Sequence, residues 1–167
     1  MMGAGKTAVG TALARQLGVA FLDSDAEIEQ AANMSIAEIF ARDGEEFFRR
    51  KESQVIDRLL HEEPCVLSTG GGAFLREENR ALISASGVAV WLRASIQTLW
   101  NRVRHKDTRP LLKTANPYET LKRLAREREP VYALADLAID SGPDQAVEDM
   151  AQKVLEALKA HEGVIGQ

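Results

Sequence analysis

The chain begins with a glycine-rich stretch, Gly3-Ala4-Gly5-Lys6-Thr7, whose residue types suit the binding of a phosphate group. In the pattern G-x-x-x-x-G-K-[ST], backbone N–H groups and a helix N-terminus surround the phosphates, the Lys neutralises them and the hydroxyl binds Mg²⁺. Gly5-Lys6-Thr7 matches the end of this pattern. The first glycine of the pattern would fall one residue before Met1, so we expect the strand that feeds such a loop to be absent.

A second pattern also fits this stretch. Residues 3–8, Gly-Ala-Gly-Lys-Thr-Ala, match the dinucleotide-binding pattern G-x-G-x-x-[GA], with Asp23 and Asp25 near the expected acidic position. A dinucleotide loop has no use for a Lys beside a metal-binding hydroxyl, whereas a triphosphate site requires both groups. Lys6 and Thr7 therefore favour the phosphate loop, formed by Gly3, Ala4, Gly5, Lys6, Thr7 and Ala8.

Two carboxylates follow the next apolar run, at Asp23 and Asp25. Residues two apart on extended backbone point the same way, and open α/β sheets bind ligands at the carboxyl ends of their strands. One carboxylate would bind Mg²⁺ through water, while the other orients or deprotonates an acceptor hydroxyl. The alternative is a helix N-cap without chemistry, at Asp25 or Ser24.

Arginines supply the candidate anion-binding groups. Arg49 and Arg50 are adjacent on a predicted helix, about 100° apart, so at most one faces a pocket, where it would bind a carboxylate in bidentate fashion. Glu52 is spaced to hold the Arg49 guanidinium. Arg102 is expected to stack on a base. Arg128 ends a later helix together with Arg126, where cations also suit the helix dipole.

The basic segment 104–116 contains Arg109 followed by Pro110, and we interpret it as a mobile lid. An arginine that reaches a transferring phosphoryl group stabilises its charge and accelerates transfer on the order of 10³- to 10⁵-fold. The alternative is an exposed basic loop. Earlier in the chain, Gly70, Gly71 and Gly72 follow an apolar run, which indicates backbone brought close to a ligand.

Composition places limits on the class of protein. The chain has 167 residues, 45% of them hydrophobic, which suits one domain over residues 1–167. Its net charge of -4 argues against general binding to nucleic acid or anionic membranes. The single Cys65 excludes a disulfide framework, and no apolar segment reaches the roughly 20 residues of a membrane span. We therefore expect a cytoplasmic protein.

Hydrophobic periodicity and capping residues predict alternating helices and strands, and hence a parallel sheet covered on both faces. Ser35 and Glu38 form a capping box, and Gly44 separates a short helix from a longer one. The predicted strands cover residues 19–22, 65–68, 88–92 and 137–139, and we interpret the first of them as buried. The predicted helices cover residues 8–17, 35–43, 45–61, 77–85, 95–103, 117–128 and 146–158, of which about 33–61 would bind the substrate.

Taken together, these stretches resemble the shikimate kinase family over nearly the whole chain. The motifs that carry the resemblance are the loop at residues 3–7, Asp23-Ser24-Asp25, Phe40-Ala41-Arg42-Asp43-Gly44-Glu45, Phe48-Arg49-Arg50-Lys51-Glu52, Gly70-Gly71-Gly72, Arg109-Pro110-Leu111-Leu112 and Arg128-Glu129-Pro130-Val131-Tyr132. The resemblance implies a three-layer α/β/α phosphate-loop kinase fold with strand order 2-3-1-4-5, in which strand 1 is truncated or absent here.

The resemblance also implies a function: ATP, with Mg²⁺, phosphorylates the 3-hydroxyl of shikimate on the route to chorismate and the aromatic amino acids. It assigns Asp25, Arg49, Gly71 and Arg128 to shikimate, with both arginines at its carboxylate and Asp25 at its hydroxyls. It assigns Thr7 and, through water, Asp23 to Mg²⁺, and Arg109 to ATP. From the residues together with the resemblance, we predict that Gly70, Gly71 and Gly72 border the substrate, that Lys6 and Arg102 bind ATP, and that Lys6, Asp25 and Arg109 are the catalytic residues. We expect a monomer.

Two other functions are compatible with the residues alone. One is a related phosphate-loop kinase that acts on gluconate or a nucleoside monophosphate. The other is an inactive nucleotide-binding module, for which the absent first strand would be a reason. The missing strand also predicts that a version extended at its N-terminus is more stable and more active than this chain.

Overall fold

A computed structural model describes residue 1 and residues 3–104 and 114–161, which divide into two compact units. Unit 1 comprises Met1–Val9 and Ala89–Gln167, and unit 2 comprises Gly10–Val88. The boundary falls within the first helix. The prediction of a single kinase domain over residues 1–167 is not tested by this division and stays a prediction.

Helices and strands alternate along the chain as predicted. The described elements are α1 (Lys6–Leu17), β1 (Ala20–Asp23), α2 (Ser24–Ala32), α3 (Ile36–Leu60), β2 (Cys65–Ser68), α4 (Glu77–Ser86), β3 (Val90–Arg93), α5 (Ile96–Val103), α6 (Pro117–Tyr132), β4 (Leu137–Asp140) and α7 (Val147–Ala160). A short 3-10 turn, Ala73–Leu75, lies between β2 and α4.

Among the described residues, each unit contains one two-stranded parallel sheet. In unit 2, β1 pairs with β2 so that Ala20 lies opposite Cys65 and Asp23 opposite Ser68. In unit 1, β3 pairs with β4, from Val90 opposite Leu137 to Arg93 opposite Asp140. The predicted order 2-3-1-4-5 includes a strand 1 that precedes β1, so β1 to β4 correspond to its strands 2 to 5. Without strand 1 the order leaves the pairs 2-3 and 4-5, which are the observed pairs β1-β2 and β3-β4. None of the residues described before α1 lies in a strand.

The prediction of a buried strand at residues 19–22 is wrong. No residue of β1, β2, β3 or β4 is fully buried, and in β1 the first residue is exposed. The reason is geometric: a strand in a two-stranded sheet keeps one unpaired edge, whereas strands inside a larger parallel sheet are covered on all sides. The apolar cores of both units are therefore built mainly from helices.

Local signals set the helix boundaries. Gly18, with φ +69°, follows the end of α1, and the Ser35 hydroxyl accepts a hydrogen bond from the Glu38 N–H at 3.1 Å to cap α3. Gly44 adopts φ +85° and ψ 169°, so it kinks α3 at the predicted break. In unit 2, Ile28 of α2 packs with Ile39 and Phe48 of α3 in a buried apolar cluster.

Candidate active site

Asp23 is the last residue of β1, and its Oδ1 accepts hydrogen bonds from the N–H groups of Asp25 at 2.9 Å and Ala26 at 3.2 Å. It therefore caps α2, so the cap expected at Asp25 or Ser24 belongs to Asp23. The expectation that Asp23 and Asp25 share extended backbone is also wrong, because the helix begins at Ser24. Asp25 lies in the first turn of that helix, where a carboxylate is favoured by the helix dipole.

Arg49 and Arg50 differ in exposure, as expected for adjacent residues about 100° apart on a helix. Arg50 is exposed, whereas the Arg49 side chain is 19% exposed and donates from Nη1 to Glu52 Oε1 at 2.9 Å. Its Nε lies 3.6 Å from Glu45 Oε1, and its guanidinium carbon lies 5.2 Å from the centre of the Phe48 ring. The predicted role of Glu52 in holding Arg49 is confirmed as a contact.

Glu52 is a fully buried carboxyl group on α3. Burial raises its pKa above the ordinary value, because desolvation disfavours the charged form; the hydrogen bond and the charge of Arg49 oppose that rise, and the charge of Asp25 adds to it. A partly desolvated guanidinium held by a buried carboxylate is a directed cation, suited to gripping a planar anion with the N–H groups that Glu52 leaves free.

The glycine run contacts both charged residues. A Cβ added at Gly70 would lie 3.0 Å from either carboxylate oxygen of Asp25, and one added at Gly72 would lie 2.7 Å from Arg49 Nη1 and closer still to Nη2. A methyl group at Gly72 would displace the Arg49 guanidinium, and one at Gly70 would press on the Asp25 carboxylate. Unit 2 therefore brings together Asp25, Arg49, Glu52 and the backbone of residues 70–72 in one cluster, which we call the acceptor cluster.

In unit 1, the stretch before α1 has the backbone expected of a phosphate loop. Gly3 and Gly5 adopt φ of +79° and +87°, which side-chain-bearing residues rarely adopt. A Cβ at Gly3 would lie 2.8 Å from Val103 Cγ1 and 3.2 Å from the Leu99 carbonyl oxygen of α5. Lys6 is the first residue of α1 and is only partly buried. The first N–H groups of a helix and its dipole favour an anion at this position.

Arg102, predicted to stack on a base, has a defined set of hydrogen bonds within unit 1. Its Nη1 donates to the Gly3 carbonyl oxygen at 3.0 Å, and its Nη2 donates to Ser141 Oγ at 3.2 Å and to the Gly142 carbonyl oxygen at 3.0 Å. Ser141 and Gly142 thus share Arg102 with the glycine loop. Stacking on a base stays a prediction.

Arg128 is buried on α6, whereas its neighbour Arg126 is exposed. The helix was expected to end at about residue 128, but it continues through Pro130 to Tyr132. Arg128 and Tyr132 are consequently four residues apart on one face, and a hydrogen bond between them partly offsets the rise that burial causes in the pKa of Tyr132. This partnership was missed because the predicted helix ended at about residue 128.

Arg109 and most of the predicted lid at residues 104–116 lie outside the described residues, since residues 105–113 are not described. The remaining predicted site residues fall into two groups, one in each unit. Unit 1 contains Gly3, Ala4, Gly5, Lys6, Thr7, Ala8, Arg102 and Arg128, and unit 2 contains Asp23, Asp25, Arg49, Gly70, Gly71 and Gly72.

The chemistry of these residues fits a nucleotide with a magnesium ion. Gly3 and Gly5 give the loop a backbone that leads directly into the N-terminus of α1, with Lys6 as its cation. Thr7 is exposed in the first turn and carries a hydroxyl oxygen, and Asp23 offers a carboxylate at the end of β1. Mg²⁺ prefers such oxygen donors and usually keeps several waters and substrate phosphates as its other ligands.

Comparison with known proteins identifies the family. Residues 2–159 match the family model for shikimate kinase. The chain is 66% identical to the shikimate kinase of Cereibacter sphaeroides and 63% identical to that of Ruegeria pomeroyi, in each case over 165 residues and 99% of this chain; the matches cover 82% and 85% of those proteins.

Solved structures agree in fold. A shikimate kinase from Acinetobacter baumannii in complex with shikimate superposes with a TM-score of 0.89 at 38% identity, covering 97% of this chain and 90% of that one. A shikimate kinase from Bacteroides thetaiotaomicron gives 0.88 at 31% identity, covering 95% and 94%. These likenesses confirm the phosphate-loop kinase fold that the sequence predicted, and together with the family model they establish that the chain belongs to the shikimate kinase family.

Proposed function

We propose that this chain catalyses the transfer of the γ-phosphoryl group of ATP to the 3-hydroxyl of shikimate. The family uses ATP with Mg²⁺ and takes a small-molecule acceptor. The observation that carries the proposal is the acceptor cluster, in which Arg49, held by buried Glu52, and Asp25 both lie against the backbone of the glycine run. A directed guanidinium and a carboxylate suit a hydroxylated carboxylic acid.

The acceptor side acts through orientation and proton handling. Arg49 binds the substrate carboxylate with the N–H groups that do not face Glu52, which fixes the ring in one orientation. Asp25 accepts a hydrogen bond from the reacting hydroxyl and aligns its oxygen for in-line attack, and it receives the proton as the bond to phosphorus forms. Arg128, which is buried on α6, is proposed as a second ligand of the substrate carboxylate.

The nucleotide side acts through charge stabilisation. Bound Mg²⁺-ATP supplies the phosphoryl group and a metal that neutralises developing charge. Backbone N–H groups of residues 3–8 and the Lys6 ammonium would hold the phosphates, Thr7 and Asp23 would hold the metal, and Arg102 would border the base. Arg109 is proposed to approach the transferring group.

The proposal is tested in a coupled assay of ADP release with shikimate, gluconate and nucleoside monophosphates as acceptors. We expect ADP release that depends on shikimate. Asp25→Ala and Arg49→Ala are expected to reduce kcat/KM for shikimate by about 10³-fold or more while ATP affinity changes little, because both lose contacts made by the acceptor alone.

Arg50→Ala is the matched control for Arg49→Ala, since Arg50 is the exposed neighbour on the same helix. We expect this variant to keep the parent activity. Undiminished activity in Asp25→Ala or Arg49→Ala would refute the assignment of the acceptor cluster. ADP release that depends on another acceptor and not on shikimate would refute the substrate.

We further propose that the protein is a cytoplasmic monomer that binds neither nucleic acid nor membranes, on the basis of its net charge of -4. Among the helices in the described ranges, none has the length and apolar character needed to cross a bilayer. Size-exclusion chromatography with light scattering tests the oligomeric state, and a mass of about twice the 18.3 kDa of the chain would contradict the monomer.

A further inference from the structure

The glycine run forms one wall of the acceptor cluster, so its exact position determines where Asp25 and Arg49 lie. Gly70 and Gly72 approach these two residues so closely that a single methyl group would collide with Arg49 or press on Asp25. Glycine itself contributes no side chain that could anchor the segment. The backbone must therefore be held from its other side.

Part of that anchoring is internal to the segment. The N–H of Ala73 donates to the Gly70 carbonyl oxygen at 3.1 Å, and the N–H of Leu75 donates to the Gly72 carbonyl oxygen at 3.2 Å. These bonds form the 3-10 turn. They define its local shape but do not fasten it to the rest of unit 2.

Two side chains of α4 fasten the turn. Asn79 Nδ2 donates to the Ala73 carbonyl oxygen at 2.9 Å, and Arg80 Nη1 donates to the Phe74 carbonyl oxygen at 2.7 Å. Arg80 is only partly buried, whereas Asn79 and Ala73 are both fully buried. The Asn79 bond is therefore shielded from water. In such a buried environment a hydrogen bond is stronger than in water and does not exchange with solvent.

Packing alone does not account for an asparagine at this position. Within the described residues, the Asn79 Oδ1 atom is buried and has no hydrogen-bond partner. A buried unsatisfied acceptor destabilises a fold, and a leucine of similar size would remove that cost. The amide is useful only through its other end, the Nδ2 that binds the Ala73 carbonyl oxygen.

We propose that Asn79 is a positioning residue for the acceptor site: by fastening the 3-10 turn to α4, it keeps Gly70 and Gly72 in place against Asp25 and Arg49. The inference rests on the proposed function, because it assigns Asn79 to shikimate binding. Asn79 does not belong to the acceptor cluster and acts only through the backbone of the turn.

The test compares two variants with the parent protein. Asn79→Leu keeps the volume and removes the donor, and Asn79→Asp keeps the shape but places a carboxylate oxygen against the Ala73 carbonyl oxygen. We expect both to raise KM for shikimate about tenfold, with KM for ATP within about twofold of the parent. The matched control is Ile56→Val, which removes one methyl group from a fully buried position on α3 of the same unit.

A general loss of stability would give a different pattern. If both KM values rise together, or if Ile56→Val raises KM for shikimate as much as Asn79→Leu does, the positioning role is refuted. An unchanged KM for shikimate in both Asn79 variants refutes it as well.

Hydrogen exchange gives a second readout that does not depend on activity. In Asn79→Leu, the amide protons of residues 73–76 should exchange at least about tenfold faster than in the parent, whereas in Ile56→Val they should not. Unchanged protection of this segment refutes the inference. If the parent shows no shikimate-dependent ADP release, the proposed function fails, and the exchange measurement still decides whether Asn79 fastens the turn.

Discussion

The two units hold candidate site residues of different kinds. In unit 2, the acceptor cluster consists of charged side chains, with Arg49 bonded to Glu52 at 2.9 Å and Asp25 beside Gly70. In unit 1, the loop before α1 offers mainly backbone groups, and its principal side-chain support, Arg102, is bonded to the carbonyl oxygens of Gly3 and Gly142.

This difference reflects what each part has to recognise. A hydroxylated carboxylic acid requires a cation and a carboxylate in a fixed relative orientation, which side chains supply. Phosphate oxygens are bound well by successive backbone N–H groups, which require unusual backbone conformations and room for close approach. Substitutions should accordingly affect the two parts through different physical causes and different kinetic constants.

The largest effect that separates the two units is expected from Gly3→Ala. An alanine at φ +79° costs on the order of 1–2 kcal/mol in backbone strain, and its Cβ would collide with Val103 Cγ1 at 2.8 Å. We expect kcat/KM for ATP to fall about 100-fold and Tm to fall by several degrees. Gly142→Ala, where the nearest atom to an added Cβ is 3.8 Å away, is the control. Equal ATP kinetics in both variants would contradict the role of the loop backbone.

A glycine of unit 2 should give the opposite kinetic pattern. In Gly72→Ala, the added methyl group would displace the Arg49 guanidinium from its place beside the turn. We expect KM for shikimate to rise about 10- to 100-fold while KM for ATP is unchanged. The control is Gly87→Ala, whose Cβ would meet its nearest neighbour only at 3.9 Å. If Gly72→Ala raised only KM for ATP, the assignment of the glycine run to the acceptor would be contradicted.

Substitution of Arg102 tests whether a side chain contributes to ATP binding in unit 1, where the loop before α1 offers mainly backbone groups. Arg102→Met keeps much of the apolar stem but removes three hydrogen bonds to Gly3, Ser141 and Gly142. We expect KM for ATP to rise about tenfold, with KM for shikimate little changed. Arg123→Met, which removes an exposed arginine from α6 of the same unit, controls for the loss of one positive charge. An unaltered KM for ATP in Arg102→Met would count against its role.

The smallest effect concerns the pH dependence of stability. The pKa of Glu52 in the folded protein is raised by burial, so the folded state binds its proton more tightly than the unfolded chain does. The contribution of Glu52 to stability is therefore largest below its unfolded pKa and is lost as pH rises through the folded pKa. Glu52→Gln removes this loss, and we expect its Tm relative to the parent to be higher at pH 8 than at pH 5.

Glu52→Gln should also weaken substrate binding, although it stabilises the fold at high pH. A neutral amide holds the Arg49 guanidinium less firmly than a carboxylate does, so KM for shikimate should rise several-fold at pH 8. Differential scanning calorimetry and the coupled assay measure the two effects. A Tm difference that does not vary with pH would show that Glu52 does not titrate differently in the folded protein.

Much of the fold could be predicted because its signals are local. Ser35 with Glu38 marked the start of α3, Gly44 marked its kink, and Gly18 marked the end of α1. The helix α2 was missed because its one buried apolar residue, Ile28, gives no periodic pattern. The available sequence signals were an Asp at position 23, acidic residues in the first turn and an Asn at position 33. In the structure Asn33 ends the helix in a left-handed conformation with φ 52°.

In the candidate site, the contact between Arg49 and Glu52 could be predicted from the sequence, whereas the partner of Arg128 could not. Arg49 and Glu52 are three residues apart on one helix, and their contact followed from that spacing alone. The partnership of Arg128 with Tyr132 depended on a helix that continues through Pro130, which local rules disfavour. The lid residue Arg109 lies outside the described residues, so its assignment stays a prediction.

The sequence by itself determined the family, the residue types of the acceptor cluster and the need for glycine in the phosphate loop, because each follows from motifs or short-range spacing. The tertiary structure alone decided that Arg102 reaches Gly3, 99 positions away, that Gly72 lies against Arg49, and that Asn79 fastens the turn before α4. The first two contacts join segments that are distant in sequence, whereas Asn79 and Ala73 are only six positions apart. In each contact one partner is the backbone, which every residue carries. No side-chain pattern could therefore have revealed them.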